Sequence, residues 1–527
     1  MTPGRLSHPA FPSLLFAGLL VGLCVFYVVR NQSSGYDDSF ITYRYADNLR
    51  HGYGLVFNSG ERHYGSTAMG LAVVLGGLSI VLGSIGLGDI ASIARCLSAL
   101  SLALIAFVLS RIMMRLITHR WVAYLVSVTL SLYILAAPVS NEAVGHETYP
   151  FIAILALSAF LIFFKKQYSA GAICLGISPM LRPDCVVFIA LIILILIARQ
   201  HAWHDVGKNK VLVVSIVSGL LVISWVTFTT IYFGSPIPET MVAKKAERLF
   251  GYWPLFRLKV VEQEMLNRLT VSLGVVLIVG VLATSYGVFK SMRHANKPLL
   301  GVHSDALCWS LTLMLFAIAL VLSYRQFRVT YWPWYFLPIY FSVLFSTMIA
   351  TVDLATQYRR LSRDLIIVGL TALALDGPTA VKGLVHWIVE RPVNIHFQSY
   401  DPIVAYLRAH EPNGTILATA EPGNLGYKLG PRFTIVDELG LASPGVARHI
   451  LAGDLDYPFR RWKPQYVIVS WLGKQNPHER WWFDRLYEKV GEFQHPFWRD
   501  AVGRGALLYR RLSESTLVLE EPKPAPK

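Results

Sequence analysis

The sequence predicts a polytopic α-helical membrane protein of about eleven transmembrane helices with a C-terminal extracytoplasmic α/β domain. Three observations predict it. Apolar stretches near the length of a bilayer crossing recur from residue 13 to about residue 385. Of 527 residues, 54% are hydrophobic and only 15% are charged, a balance rare in soluble domains. Beyond about residue 390 the apolar runs shorten to strand length.

The crossings take their direction from charge. The formal net charge of +15 would point to nucleic acid in a soluble chain. Here Lys, Arg and His collect in the short loops 111–120, 165–167, 199–210, 290–297 and 358–363, the pattern of cytoplasmic loops. That placement excludes nucleic-acid binding as the reason for the charge. The opposite ends, 141–148, 181–184, 234–267 and 323–331, then lie outside. The expected crossings are roughly 11–30, 91–111, 121–138, 149–164, 168–181, 184–198, 211–233, 269–289, 305–323, 333–351 and 364–386. The N-terminus is cytoplasmic. The first run follows Arg5 like a signal peptide. It is long for one and lacks a clear small-x-small cleavage site, so it reads as a retained helix. The crossing at 168–181 is short, about 21 Å as a helix.

Residues 67–88 are apolar enough to cross. A crossing there would put Arg111, Arg115 and Arg120 outside and invert every later loop. The segment is also rich in glycine (Gly70, Gly76, Gly77, Gly83), which weakens an isolated helix. It therefore reads as a juxtamembrane helix on the outer face. The alternative is an ordinary crossing balanced by one missed later.

The domain division follows. Residues 1–390 form the membrane domain, with an outer loop at 31–66 and the juxtamembrane helix at 67–88. Residues 391–515 form the α/β domain, and 516–527 a disordered Pro/Lys-rich tail. Strands are expected at 415–420, 433–436, 466–471 and 506–509, with helices at 402–409 and 479–489. Gly423, Gly426 and Gly430 read as turn glycines, because no helix clearly follows them. The cysteines, Cys24, Cys96, Cys174, Cys185 and Cys308, lie in or beside apolar segments and form no disulfide framework or CxxC pair.

Chemistry concentrates in the outer loop. Tyr36-Asp37-Asp38 follows the first crossing, and adjacent carboxylates at a membrane surface are costly unless used or paired. A local reading also exists: an N-cap and a dipole-favoured acid at the start of an amphipathic helix on which Phe40, Tyr43 and Ala46 share a face. The charge-derived topology places Asp37, Asp38, Glu147, Arg182, Asp184 and Lys244 together on the outer side. The run Tyr331-Trp332-Pro333-Trp334-Tyr335-Phe336 reads as an interfacial aromatic belt, with sugar stacking as the other use of those rings.

The stretch Asp37-Asp38-Ser39-Phe40-Ile41-Thr42-Tyr43-Arg44-Tyr45-Ala46-Asp47-Asn48-Leu49, then Gly52-Tyr53-Gly54-Leu55-Val56-Phe57-Asn58 and Gly60-Glu61, resembles the first-loop signature of GT-C glycosyltransferases. These are multi-spanning enzymes that use polyprenyl-phosphate sugars. The resemblance is strongest to the bacterial branch that includes terminal arabinofuranosyltransferases of the mycobacterial cell wall. Further pieces agree in order: Gly145-His146-Glu147-Thr148, Leu181-Arg182-Pro183-Asp184, the segment Tyr232 to Thr240 with Ala243-Lys244, Glu421 to Tyr427, and Asp437 to Leu441. His146, Cys185 and Glu239 depart from the branch's usual residues.

The resemblance implies a GT-C-like fold in the bacterial inner (plasma) membrane. It implies transfer of a sugar from a polyprenyl-phosphate donor to a cell-envelope glycan, lipid or protein acceptor. Such a leaving group needs little protonation, so the chemistry asks for a base on the acceptor hydroxyl and cations for the phosphate. The family's catalytic acid falls on Asp37, with Asp38 holding donor or metal. Arg44, Arg182 and Lys244 are the cations expected on the donor phosphate, with Lys245, Arg325 and Arg328 as further candidates. Glu147 and Tyr43 are expected at the substrate. A divalent metal on Asp38, Glu147 and His146 is the one cofactor the residues admit. The readings that compete are a lipid-linked substrate transporter or flippase, another lipid-linked transferase or polymer ligase, and an inactive membrane scaffold.

Overall fold

The protein is described by a computed structural model, which covers residues 10–32, 35–136, 143–247, 249, 257–268, 278, 280–287, 302–357, 400–469, 479–493, 506–513 and 519. Its first part is helical: α1 (Ala10–Arg30), α2 (Asp37–Arg50), α3 (Met69–Gly83), α4 (Ile90–Leu116), α5 (Arg120–Ala136), α6 (Thr148–Ala159), α7 (Tyr168–Ile177), α8 (Val186–Ala198), α9 (Lys208–Phe233), α10 (Thr240–Glu247), α11 (Leu258–Arg268), α12 (Val302–Gln326) and α13 (Pro333–Gln357). Wider π turns extend α6 over Phe160–Phe164 and α8 over Arg199–Trp203.

Among the described residues, five helices are long and apolar enough to cross a membrane: Ile90–Leu116, Pro183–His201, Lys208–Phe233, Val302–Gln326 and Pro333–Gln357. That is fewer than the eleven expected. Helices also fall within the expected 11–30, 121–138 and 149–164, but their described apolar lengths, Leu14–Arg30, Arg120–Leu135 and Thr148–Phe164, are shorter. At 168–181 the α-helix spans only Tyr168–Ile177, about 15 Å. The expected crossing at 364–386 lies outside the described residues, as does most of 269–289.

The two helices after α1 are unlike their neighbours. Helix α2 is polar in sequence yet buried from Ser39 to Asn48. It is covered by α3 on one side and by the C-terminal region on the other. Helix α3 has 15 residues, about 22 Å. Its glycines allow close contact rather than only weakening the helix. A Cβ at Gly70 would sit 2.5 Å from Met180 Cβ, and one at Gly76 3.0 Å from the Ala46 carbonyl oxygen. Leu71 and Leu75 fill the seam so made, each worth about 1.5–3 kcal/mol of burial.

The C-terminal region adds α14 (Asp401–His410), β1 (Ile416–Thr419), α15 (Pro422–Leu429), β2 (Thr434–Asp437), α16 (Val446–Leu451), α17 (Tyr457–Trp462), β3 (Tyr466–Val469), α18 (Phe483–Leu486), β4 (Tyr487–Phe493) and β5 (Ala506–Arg511). The strands form one sheet in the order β2-β1-β3-β5-β4. β1 pairs in parallel with β2 and β3; β5 runs antiparallel to β3 and β4. β1, β2 and β3 are short apolar runs buried along most of their length, although β2 is an edge strand of the sheet.

Two expectations here are corrected. The helix expected over 479–489 ends at Leu486, and Tyr487–Phe493 is a fifth strand. Glu488, Lys489 and Glu492 on that edge face outward, so its polarity imitates a solvated helix. The glycines at 423 and 426 are not turn residues. They lie inside α15, which follows β1 after a single intervening stretch.

Candidate active site

Helix α2 begins with both acids inside it. Tyr36 is the N-cap, with extended backbone and no side-chain cap. Asp37 and Asp38 are the first two helical residues, where the helix dipole favours negative charge. Being adjacent on a helix, they point about 100° apart, and that difference separates their surroundings.

The Asp37 carboxylate turns to the C-terminal region. It accepts hydrogen bonds from the backbone N–H of Gly423 at 2.9 Å and of Asn424 at 2.7 Å, at the first turn of α15. Glu421, which accepts a hydrogen bond from Tyr400 Oη, stands just before that turn. Burial and the Glu421 carboxylate push the Asp37 carboxyl upward against the lowering effect of these two N–H groups.

Asp38 faces a cleft that Lys244 and Glu147 also line. Across it Lys244 Nζ lies 3.5 Å from Asp38 Oδ2 and 2.8 Å from Glu247 Oε1. Thr330 donates to the other Glu247 oxygen at 2.9 Å. The Lys244 ammonium also sits 5.2 Å over the Trp332 ring. Burial pulls the lysine pKa down, but Asp38 and Glu247 outweigh it and hold the amine charged.

The far wall is Glu147 and His146, from the loop that opens α6, with Trp334 and Tyr335 from the first turn of α13. Glu147 lies 2.6 Å from His146 Nδ1 and 3.4 Å from Arg182 Nη1. Burial alone would raise the Glu147 carboxyl; His146 and Arg182 hold it below its usual range. Arg182 is anchored by Asp184 at 2.8 Å and Tyr324 Oη at 3.0 Å, and its guanidinium stacks on Tyr335 and Phe151. A backbone effect helps to place it. Pro338 inside α13 has no N–H, so the Trp334 carbonyl lacks its helical partner, and Arg182 Nη1 reaches it at 3.5 Å.

The expected residues divide accordingly. Asp38, His146, Glu147 and Lys244 line one cleft, and Arg182 stands behind Glu147. Arg44 is not there. Its guanidinium is enclosed and donates to the carbonyls of Phe57, Gly426, Gly430 and Phe433 and to Asn58 Oδ1. It fastens the outer loop to the C-terminal region, so its expected role on a donor phosphate is corrected to a structural one. Tyr43 is spent as well: its hydroxyl donates to the Gly145 carbonyl at 2.9 Å. Gly145 has φ +74, and a Cβ there would collide with the Tyr43 hydroxyl, so glycine at this point serves backbone and packing together. Lys245, Arg325 and Arg328 are exposed.

Among the described residues, no group of three or more His, Cys, Asp and Glu side chains is arranged to hold a metal ion. The expected set of Asp38, Glu147 and His146 does share the cleft, but cations already partner its carboxylates: Lys244 faces Asp38 and Arg182 faces Glu147. Glu247 and Glu421 were not foreseen. The spacing of Lys244 and Glu247, three apart on one helix face, was the available signal for the first. Only the fold brings Glu421 to Asp37.

Several solved structures share this architecture. ArnT from Cupriavidus metallidurans, bound to undecaprenyl phosphate, aligns over 97% of this chain and 99% of its own, at 13% identity and a TM-score of 0.51. The Archaeoglobus fulgidus oligosaccharyltransferase, in complex with Zn and sulfate, covers 86% of this chain and 68% of its own, at 11% identity and a TM-score of 0.54. The same archaeal enzyme, AglB, in complex with an inhibitory peptide and a dolichol-phosphate, covers 87% and 70%, at 11% identity and 0.52. Residues 393–512 match a family described as a domain of unknown function, DUF8728. No curated protein matches the sequence. The chain thus shares the fold of these solved structures. At these identities the likeness concerns the fold.

Proposed function

We propose that this protein is a membrane glycosyltransferase that moves a sugar from a polyprenyl-phosphate donor to a cell-envelope glycan, lipid or protein acceptor. The observation that carries the reading is Asp38, an acid open to a cleft, facing the buried Lys244 ammonium at 3.5 Å in a chain of this fold. Asp38 accepts the proton of the acceptor hydroxyl. The freed oxygen attacks the anomeric carbon, and the bond from that carbon to the phosphate oxygen breaks. Lys244 takes the charge that develops on the departing polyprenyl phosphate, with Arg182 holding the Glu147 wall beside it. Asp37, committed to two backbone N–H groups, sets the orientation of α2. Trp334 and Tyr335 give the sugar an apolar face to lie on. Arabinofuranose is the sugar to test first, by the resemblance of the outer loop. The active side is the outer face of the bacterial plasma membrane, with the N-terminus cytoplasmic and the C-terminal sheet domain outside.

The test is a transfer assay with purified protein and polyprenyl-phosphate pentoses and hexoses. Asp38→Asn keeps the shape but removes proton acceptance, and kcat should fall by about 10²–10⁴. Asp37→Asn should cost less in kcat, while Asp37→Ala, which strips the acceptor from the Gly423 and Asn424 N–H groups, should cost stability. The reverse ranking returns the base to Asp37, and no transfer from any such donor by folded protein defeats the reading.

A further inference from the structure

The cation in the cleft is shared unequally by two anions. Glu247 has both carboxylate oxygens engaged, one on Lys244 at 2.8 Å and one on Thr330 at 2.9 Å, and it is 1% exposed. It has no room to move and no unpaired oxygen to give. Asp38 lies farther away, at 3.5 Å, and its side chain is 26% exposed toward the cleft. One partner is fixed and the other is exchangeable. A lysine ammonium carries three N–H donors, enough for Glu247 and one further anion in good geometry. A phosphate entering the cleft brings a second mobile negative charge to the same ammonium. Two anions within a few ångströms of each other repel, so the phosphate and Asp38 compete for Lys244.

We propose that Lys244 exchanges Asp38 for the donor phosphate while Glu247, a positioning residue, keeps the ammonium in place. The inference rests on the lipid-phosphate reading above. Its consequence is an order of events. In the empty site Lys244 occupies the base. Donor binding draws the lysine away and frees Asp38 to take the acceptor's proton, so the base becomes available only when there is a sugar to transfer.

The experiment measures binding of undecaprenyl phosphate, without sugar, to the purified full-length protein in lipid nanodiscs. Asp38→Asn removes the competitor and should bind it about tenfold tighter than the parent protein. Asp38→Ala repeats the comparison, with thermal unfolding confirming the fold of each variant. Lys244→Met should weaken binding at least about tenfold. Glu247→Gln leaves the lysine to Asp38 alone and should also weaken binding, and adding Asp38→Asn should restore it. Equal affinity in the parent and the Asp38 variants overturns the exchange. A Glu247→Gln loss that the second substitution leaves untouched reduces Glu247 to a structural role. If undecaprenyl phosphate binds none of the proteins, the lipid-phosphate reading fails and the exchange with it. That outcome is distinct from tight binding that ignores Asp38.

Discussion

Asp37 and Gly423 are in backbone contact across the junction between the outer loop and the C-terminal region. The Gly423 N–H donates to the Asp37 carboxylate at 2.9 Å, and a Cβ on Gly423 would fall 1.9 Å from the Asp37 carbonyl oxygen. No side-chain rotation relieves that clash, because the obstacle is backbone. Gly423→Ala should therefore cost at least about 1–3 kcal/mol and lower activity by lifting α15 from α2. Thermal unfolding and the transfer assay check it together. Gly207→Ala, with nothing near its Cβ position, serves as the control, and its cost should be only that of a poorer N-cap for α9, about 1 kcal/mol or less.

Arg44 and Lys244 offer a contrast between a clamp and a ligand. Arg44→Met strips the donors from the Phe57 and Phe433 carbonyls among others, and several buried acceptors are left unsatisfied. The loss should exceed about 3 kcal/mol and show as a lower Tm or failure to fold. Lys244→Met leaves the buried Glu247 carboxylate on Thr330 alone and should also lower the Tm, but what sets it apart is the loss of donor binding in the protein that folds. Normal folding of Arg44→Met with lost donor affinity would restore Arg44 to the substrate.

The junction should also respond to pH. The Asp37 carboxyl is raised by burial and by Glu421, so its folded value lies above its unfolded one. Burial raises Glu421 likewise, with Asp38 adding to it. A raised acid contributes stability that is fully present below the unfolded value and is lost as pH rises through the folded value. The window runs from about 4 for a free carboxyl to about 7 for Asp37. Tm should fall as pH climbs through that window, and Glu421→Gln should flatten the slope. A Tm that rises over the same range contradicts this account of the junction.

These residues show what a sequence exposes and what it conceals. The long helices were legible because each is a nearly continuous apolar run, and β1, β2, β3 and β5 because apolar runs of four to six residues stand between polar stretches. The cleft was half legible. Asp38, His146, Glu147 and Lys244 were all singled out, yet which of two adjacent acids faces the cleft depends on the rotation of α2, which no local pattern encodes. Arg44 deceived for a related reason. A conspicuous cation in a polar helix suggests a ligand, whereas one of its true partners is a carbonyl 389 positions away. Strand β4 was hidden by the charges that protect a sheet edge.

The last prediction concerns α3. With 15 residues it rises about 22 Å, short of the roughly 30 Å of hydrocarbon in a bilayer. One face, with Leu71, Ala72, Leu75, Gly76 and Ser79, is buried against neighbouring helices, while Val73, Val74, Ile80 and Val81 are exposed. Apolar on both faces and too short to cross, α3 fits a helix embedded in the outer leaflet, with its bare face in lipid and its buried face on α2 and α4. Its two ends should then stay on the same side of the bilayer. Ser59 precedes α3 and Ser84 caps its end, and both are exposed. Each is changed to cysteine singly, after the exposed Cys96 is replaced by serine. An impermeant thiol reagent applied from outside intact cells should label both. Labelling at Ser59 alone means that α3 crosses, which moves the end of α4 to the other side and inverts every later loop. Labelling at Ser84 alone puts the outer loop, and with it Asp38, on the cytoplasmic face.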